Sequence, residues 1–185
     1  MKLHNTLTRH KDELQPLDGQ TVRMYTCGLT VYSQPHIGNW VGYIYWDVLV
    51  RLLRWQDISV IRTQNITDVG HLTSDDDNGE DKMEKGARRE GKTAWDVAKQ
   101  YIAIAEHEAY EVLKLVRPDH LVRATDYIQQ QIDFARGLDE KGLLYKIDGD
   151  GMYFDTSRLP DYGKLARLDV AGLEAGARVS VEGKR

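Results

Sequence analysis

The single cysteine of the chain, Cys27, lies in the stretch TCGLTVYSQPHIGNW (26 to 40) and is followed nine positions later by His36-Ile37-Gly38-Asn39. Pro35 fixes the entry to that tetrapeptide, Gly38 lets a ligand approach the backbone, and Asn39 suits the cap of a helix beginning near Trp40. A helix start of this kind favours a phosphate, because its unpaired N–H groups and the positive end of its dipole face outward. His36 stands beside it as a donor to a phosphate oxygen whose charge grows in a transition state. Taken alone, the tetrapeptide reads equally well as a polar loop leading into a helix. Cys27 also has two readings: a small inert hydrophobe at the end of a buried strand, or a thiolate ligand to zinc. The chain has no second cysteine, so spacing alone supplies no partner for a metal.

Positioning these residues requires a strand before them and a helix after them. VRMYTC (22 to 27) alternates and is rich in strand formers; after Pro35 the apolar residues Val41, Ile44, Tyr45, Val48 and Leu52 fall at helical spacing. ISVIRTQNI (58 to 66) reads as a second strand, so 22 to 66 predicts a strand-helix-strand unit with a right-handed crossover and a parallel sheet. The ligand site of such a unit lies at the carboxyl ends of its strands. A polar stretch from 74 to 93 predicts a surface loop or the edge of a site. The spacing then predicts a helix from Ala94 to Val116, ended by Arg117-Pro118-Asp119, and another near Tyr127 to Lys141 with Gly142 as its stop. LLYKIDGDGMYFD (143 to 155) predicts a hairpin around Asp-Gly-Asp-Gly.

Composition excludes several classes of function. With 185 residues, 41% of them hydrophobic, the chain can bury a core. A balance of 25 Lys+Arg against 29 Asp+Glu gives a net charge of -4 and no overall attraction to nucleic acid or anionic membrane, so any RNA contact is local. A lone cysteine forms no internal disulfide. The residues after Met1, KLHNTLTRHKDEL, lack the apolar core of a signal peptide, and no long apolar run follows. These features predict a cytoplasmic protein with no membrane partner.

Six segments in order, HNTLTRHKDELQPL (4 to 17), MYTCGLTVYSQPHIGN (24 to 39), RTQNITDVGHLTSD (62 to 75), GEDKMEKGARREGKT (79 to 93), YFDTSRLPDYGKLA (153 to 166) and LEAGARV (173 to 179), resemble the amino-terminal part of cysteinyl-tRNA synthetase. That family belongs to the class I aminoacyl-tRNA synthetases, and the resemblance covers nearly the whole chain. It implies an α/β fold: residues 1–116 as the first half of a doubly wound, Rossmann-type parallel sheet, and 117–185 as the start of a helical and hairpin connective subdomain.

The resemblance also implies roles. His36-Ile37-Gly38-Asn39 occupies the position of the class I signature His-Ile-Gly-His, which cradles the adenine and phosphates of ATP. His36, Gly38 and Asn39 are thus candidate ATP-binding residues, with His36 and Asn39 as candidate catalytic groups. Asparagine still donates hydrogen bonds but carries no positive charge. Cys27 matches the first zinc ligand of the family. Gly28, Thr30 and Thr67 match positions that line the amino-acid pocket, and Asp68 is a candidate partner of the substrate ammonium group. Zinc beside the ATP site would bind the substrate side chain as a thiolate, a soft charged ligand that serine and alanine cannot imitate. The implied reaction is attack of the cysteine carboxylate on the α-phosphorus of ATP, giving cysteinyl-adenylate and pyrophosphate, followed by transfer to tRNA. His36 acts here as an electrostatic donor more than as a base.

KMEKG (82 to 86) looks like a damaged form of the family's Lys-Met-Ser-Lys-Ser loop, but it follows an early strand, whereas that loop follows the last strand of the catalytic sheet. An exposed basic turn is the favoured reading of Lys82 and Lys85. His71 is a further site candidate through its nearness to Asp68. The family continues past the position of Arg185 into the rest of its fold, its other zinc ligands and its lysine-rich loop. The expectation is therefore a fragment that does not activate cysteine usefully alone, holds zinc weakly or not at all, and has a carboxyl-terminal half as a candidate complementing partner. Aromatic residues near the signature, among them Tyr25, Tyr45 and Trp46, are ordinary core or surface that such a half would cover. Rival readings are a ligase joining cysteine to an amino sugar, a non-catalytic remnant that binds a nucleotide or a partner, and a generic nucleotidyltransferase. Cys27 and the six segments disfavour the last.

Overall fold

Residues Thr21 to Ile66 form a strand, a helix and a parallel strand in the computed structural model, which describes residues 1–70, 87–88, 91–148 and 151–168. His71, KMEKG and LEAGARV lie outside the described residues. The fold divides into two units, Gln15–Asp126 and a second made of Met1–Leu14 with Tyr127–Arg185.

In the second unit, β1 (Lys2–Asn5) and β2 (His10–Glu13) pair antiparallel. The turn between them is tied by Asn5 and Thr8, both of which donate to Asp12 Oδ2, at 2.9 and 2.6 Å.

The first unit is built on a three-stranded sheet. Its edge strand is β3 (Thr21–Thr26), and its helix α1 (Ile37–Trp55) leads into the central strand β4 (Ser59–Ile66). β3 and β4 run parallel from Thr21↔Ser59 to Thr26↔Gln64. Alternate residues of β4 (Val60, Arg62, Gln64 and Ile66) are buried, as one covered face requires.

The helix predicted after Pro35 is present, but the face that packs is not the most apolar one. Trp40, Tyr43, Asp47, Val50 and Leu53 are buried. Val41, Ile44, Tyr45, Val48 and Leu52, whose spacing marked the helix, are exposed. α1 is apolar on two sides, and periodicity reports the period without saying which side meets the sheet.

Helix α2 (Ala94–Glu106) is capped by Thr93, whose Oγ1 accepts from Asp96 N at 3.1 Å. Its Val97, Ala98, Tyr101 and Ile102 pack with Val31 and Ile66 into one core cluster. Ala105 and Ala109 meet Trp40 and Tyr43 in a second. The predicted single helix from Ala94 to Val116 is shorter and changes form. From His107 to Val112 it widens into a π-turn, with Leu113 N donating to Glu108 O, and Lys114 then turns left-handed at φ 53. The chain is thus turned off the helix before Pro118 is reached.

β5 (His120–Arg123) follows and pairs parallel with β4, giving the order β3-β4-β5. The third strand of the sheet therefore comes after Val116. The architecture is a mixed α/β fold with a parallel sheet and packed helices, of Rossmann type. Among the described residues, no helix is long and apolar enough to cross a membrane.

The second unit continues with α3 (Ile128–Glu140), stopped by Gly142 at φ 69, and with the predicted hairpin of β6 (Leu144–Ile147) and β7 (Gly151–Phe154). Tyr145 and Tyr153 stack across that hairpin at 5.8 Å. Arg9 Nη2 donates to Ala166 O at 3.0 Å within the same unit.

Candidate functional site

Where β3 ends at Thr26 the chain passes Cys27 and Gly28 and runs over the carboxyl end of the sheet to the start of α1. A cavity of about 430 Å³ opens there, and its lining includes Cys27, Gly28, Thr30, His36, Gly38 and Asn39. This is the end of a parallel sheet at which ligands bind. Cys27 is exposed, and its thiol donates to Gly28 O at 3.8 Å. It is an accessible soft donor on the cavity wall and not a buried hydrophobe.

Gly28 sits against the neighbouring strand. A Cβ built on it would fall 1.5 Å from Asn65 O, so no other residue fits without parting the backbones. Asn65 gathers this corner. Its Oδ1 accepts from Gly28 N at 2.7 Å and from Tyr25 Oη at 2.9 Å, while its Nδ2 donates to Thr67 Oγ1 at 3.0 Å. Thr30 and Thr67 form a parallel bridge in which Thr67 N donates to Leu29 O and Val31 N donates to Thr67 O. Thr67 thus adjoins the lining residue Thr30 through the backbone, but it is not itself among the residues lining the cavity.

Asp68 is held elsewhere. It is 7% exposed, with Thr125 N donating to its Oδ1 at 3.1 Å and Thr125 Oγ1 to its Oδ2 at 2.6 Å. Both carboxylate oxygens are engaged with the turn after β5, and Asp68 is not among the cavity-lining residues.

His36 is the N-cap of α1, in extended backbone at φ -116, ψ 169. Its N–H donates to Asn39 Oδ1 at 3.0 Å. Turning the acceptor of the amide inward leaves Nδ2 as the half of Asn39 that can donate to a ligand. Gly38 makes room for the imidazole, since a Cβ there would lie 3.0 Å from His36 Cε1 and 3.1 Å from His36 Nδ1. The ring therefore lies beside the first turn, where Asn39 N donates to His36 O at 2.9 Å and the N–H groups of Ile37 and Gly38 have no partner within α1.

Several residues of this corner escaped sequence reasoning. Glu108 accepts from Gln34 Nε2 at 3.0 Å and from Trp40 Nε1 at 2.9 Å, from a helix remote in sequence. Tyr43 lines the cavity with its Oη buried and unpartnered among the described residues; burial, then the nearby Cys27, pushes its phenol well above the ordinary value, so it is a donor and not an anion. NIT at 65 to 67 marked the right strand end, but only the pairing across strands shows Asn65 as the hub.

Zinc can be tested against the donors present. A structural or catalytic zinc needs at least three protein ligands. Among the described residues no three His, Cys, Asp or Glu side chains cluster in a way that could hold a metal ion, and Cys27 alone does not fit one.

Comparison with known proteins adds the family. The model of the class I (C) tRNA synthetase catalytic domain matches residues 13–185. The chain is 49% identical over 185 residues to cysteine–tRNA ligase 1 of Burkholderia lata, covering all of this chain and 39% of that protein. It is 44% identical over 185 residues to the cysteine–tRNA ligase of Novosphingobium aromaticivorans, of which it covers 37%. It is 46% identical over 162 residues, 88% of the chain, to that of Zymomonas mobilis, of which it covers 31%. The chain thus spans well under half the length of these relatives. With a parallel sheet, His36-Ile37-Gly38-Asn39 at the head of α1 and a family model matching almost every residue, the chain belongs to the class I (C) tRNA synthetase catalytic-domain family.

Proposed function

We propose that the chain is the amino-terminal catalytic part of a cysteine–tRNA ligase, and that the cavity between Cys27 and His36 takes ATP and cysteine to form cysteinyl-adenylate. The observation that carries this reading is His36 at the N-terminus of α1, on the wall of the same cavity as Cys27, in a chain whose relatives are named as cysteine–tRNA ligases.

In this reading the phosphates of ATP lie at the head of α1. The substrate carboxylate attacks the α-phosphorus, the bond to the bridging oxygen of pyrophosphate breaks, and negative charge grows on the phosphoryl oxygens. The Ile37 and Gly38 N–H groups, the His36 imidazole and Asn39 Nδ2 donate to that charge. No proton needs to leave the attacking carboxylate, so His36 serves as a donor and not as a base. Gly28 lets the amino acid approach the backbone, Thr30 lines its place, and Thr67 supports Thr30 through the bridge. Asp68, buried with both oxygens engaged by Thr125 and off the cavity lining, supports the strand end. The aminoacyl group then passes to the 3′ end of tRNA.

The described residues lining the cavity include no Lys or Arg. Charge on the leaving pyrophosphate therefore needs a further cation, which makes slow turnover by this chain alone the expected result. The test is cysteine-dependent ATP–pyrophosphate exchange, by the chain alone and with the remaining length of its relatives added as a second polypeptide. Exchange that rises on addition and falls about a hundredfold or more in His36→Ala supports the reading. Exchange independent of cysteine, or untouched by His36→Ala, contradicts it.

A further inference from the structure

The segment that carries His36 is gripped from outside by one side chain. Glu108 stands on the π-turn that extends α2, one turn beyond the cavity-lining residues Tyr101 and Ala105. Its Oε1 accepts from Gln34 Nε2 at 3.0 Å and its Oε2 from Trp40 Nε1 at 2.9 Å. Gln34 precedes His36 by two residues, and Trp40 follows it by four. The carboxylate therefore closes a bridge over the turn from which the imidazole projects.

Two features separate this bridge from ordinary burial. Trp40 is 6% exposed, so its indole N–H needs an acceptor, and Glu108 supplies one. Gln34 is exposed and could be served by water, so its bond to Glu108 is not required to satisfy a buried donor. What that second bond adds is position. A π-turn is uncommon, is concentrated at functional sites, and shifts the residues it contains around the helix axis relative to a regular α-turn. It also lies immediately after Ala105, the last residue of α2 to line the cavity.

We propose that Glu108 is a positioning residue for His36: by accepting from both flanks of the turn, it sets where the imidazole stands relative to the head of α1. This rests on the reading of His36 as the ligand-facing donor of the cavity, and it predicts that the pose of His36, more than the stability of the fold, depends on the two-acceptor character of residue 108.

Glu108→Gln separates these roles. The amide is nearly isosteric but puts an NH2 group where one of the two acceptor oxygens stood, so in the wild-type geometry it accepts from Trp40 or from Gln34 and opposes a donor with a donor at the other. Adding Gln34→Glu restores the bridge with reversed polarity: the amide nitrogen introduced at position 108 would donate to the carboxylate introduced at position 34, while the amide oxygen at 108 accepts from Trp40. The readout is the ¹⁵N–¹H spectrum of the ligand-free 185-residue chain, observing the His36 imidazole and the Trp40 indole, with the melting temperature measured beside it. The expected result is that Glu108→Gln moves the His36 signals and the double variant returns them toward the wild type. The affinity for cysteinyl-sulfamoyl-adenosine, a stable mimic of the adenylate, should fall in Glu108→Gln by about ten- to a hundredfold. If the melting temperature or the Trp40 indole changes while the His36 signals stay in place, Glu108 serves packing alone and the proposal is overturned. If the wild-type chain does not bind the mimic, the assigned function is at fault, and the ligand-free spectra still decide the role of Glu108.

Discussion

Two regions of the strand-helix-strand unit are held by polar side chains, but to different degrees. Midway along α1 and β4, off the cavity lining, Asp47 is buried and accepts from Arg51 Nε at 2.6 Å and from Val116 N at 2.7 Å. Arg51 Nη2 donates to Lys114 O at 2.8 Å, Arg62 Nη2 to Val116 O at 2.6 Å, and Asp119 Oδ2 accepts from Arg62 N at 2.7 Å. Apart from Arg62 Nε, which is buried without a hydrogen-bond partner among the described residues, this capacity turns inward, fastening the segment 114–119 to α1 and β4. At the cavity, Asn39 presents an amide donor, the Ile37 and Gly38 N–H groups have no partner within α1, and the Cys27 thiol is exposed. Polar groups that satisfy one another build the fold, and polar groups held in place with capacity left over build a site. The residues that do the holding, Asn65 and Glu108, have their oxygens fully engaged.

The contrast breaks most severely at Gly28. In Gly28→Ala the new Cβ meets Asn65 O at a bonding distance, so β3 and β4 must separate where their loops begin. The expected loss is about 4 kcal/mol or more of unfolding free energy in urea, or failure to fold at all. A stable, soluble Gly28→Ala chain with native chemical shifts would show that the close approach is not required.

The 114–119 fastening should fail by stability alone. Asp47→Ala leaves the Val116 N–H and Arg51 Nε without their acceptor, at a cost of about 2 to 3 kcal/mol. The folded fraction should bind the adenylate mimic as the wild type does, because Asp47 does not line the cavity. A change in affinity larger than the change in folded fraction would mean that the two regions are coupled.

The smallest effect belongs to the hairpin β1-β2, outside this unit. Hydrogen bonds from Thr8, then from Asn5, hold the Asp12 carboxyl below its usual value of 3.8. A lowered folded value contributes stability above the unfolded one and loses it as pH falls through the folded one. Asp12→Asn should therefore lower the melting temperature slightly at neutral pH and flatten its acid limb below about pH 4, because the stability that the ionised carboxylate contributes above that range is gone. An identical acid limb in the variant would remove Asp12 from that account.

How much of this was legible follows from the distance over which each residue acts. β3, β4, α1, the Gly142 stop and the 143–155 hairpin rest on local pattern, and local pattern found them; β1, β2 and β5, each only four residues long, did not show. His36, Gly38 and Asn39 fall within one helix start, so their grouping showed in four consecutive letters. The packing face of α1 did not show, because the helix offers two apolar sides and the buried one includes Asp47. Nor did the π-turn, since widening a helix leaves apolar spacing almost intact. Asn65 and Glu108 act on residues 37 and 68 positions away, across strand pairing and helix packing. A resemblance over six segments reached Thr67 and Asp68, yet Asp68 turns to Thr125, a partner no motif names.

Polar capacity left over at the head of α1 marks the site, and the 114–119 fastening is scaffold. Titration of cysteinyl-sulfamoyl-adenosine into the ¹⁵N-labelled chain separates the two. Amide shifts should concentrate between Cys27 and Asn39, with the Thr30–Thr67 bridge responding, while 114–119 stays still, and His36→Ala should abolish the response. Shifts centred on 114–119, or a response between Cys27 and Asn39 that survives His36→Ala, would contradict this assignment.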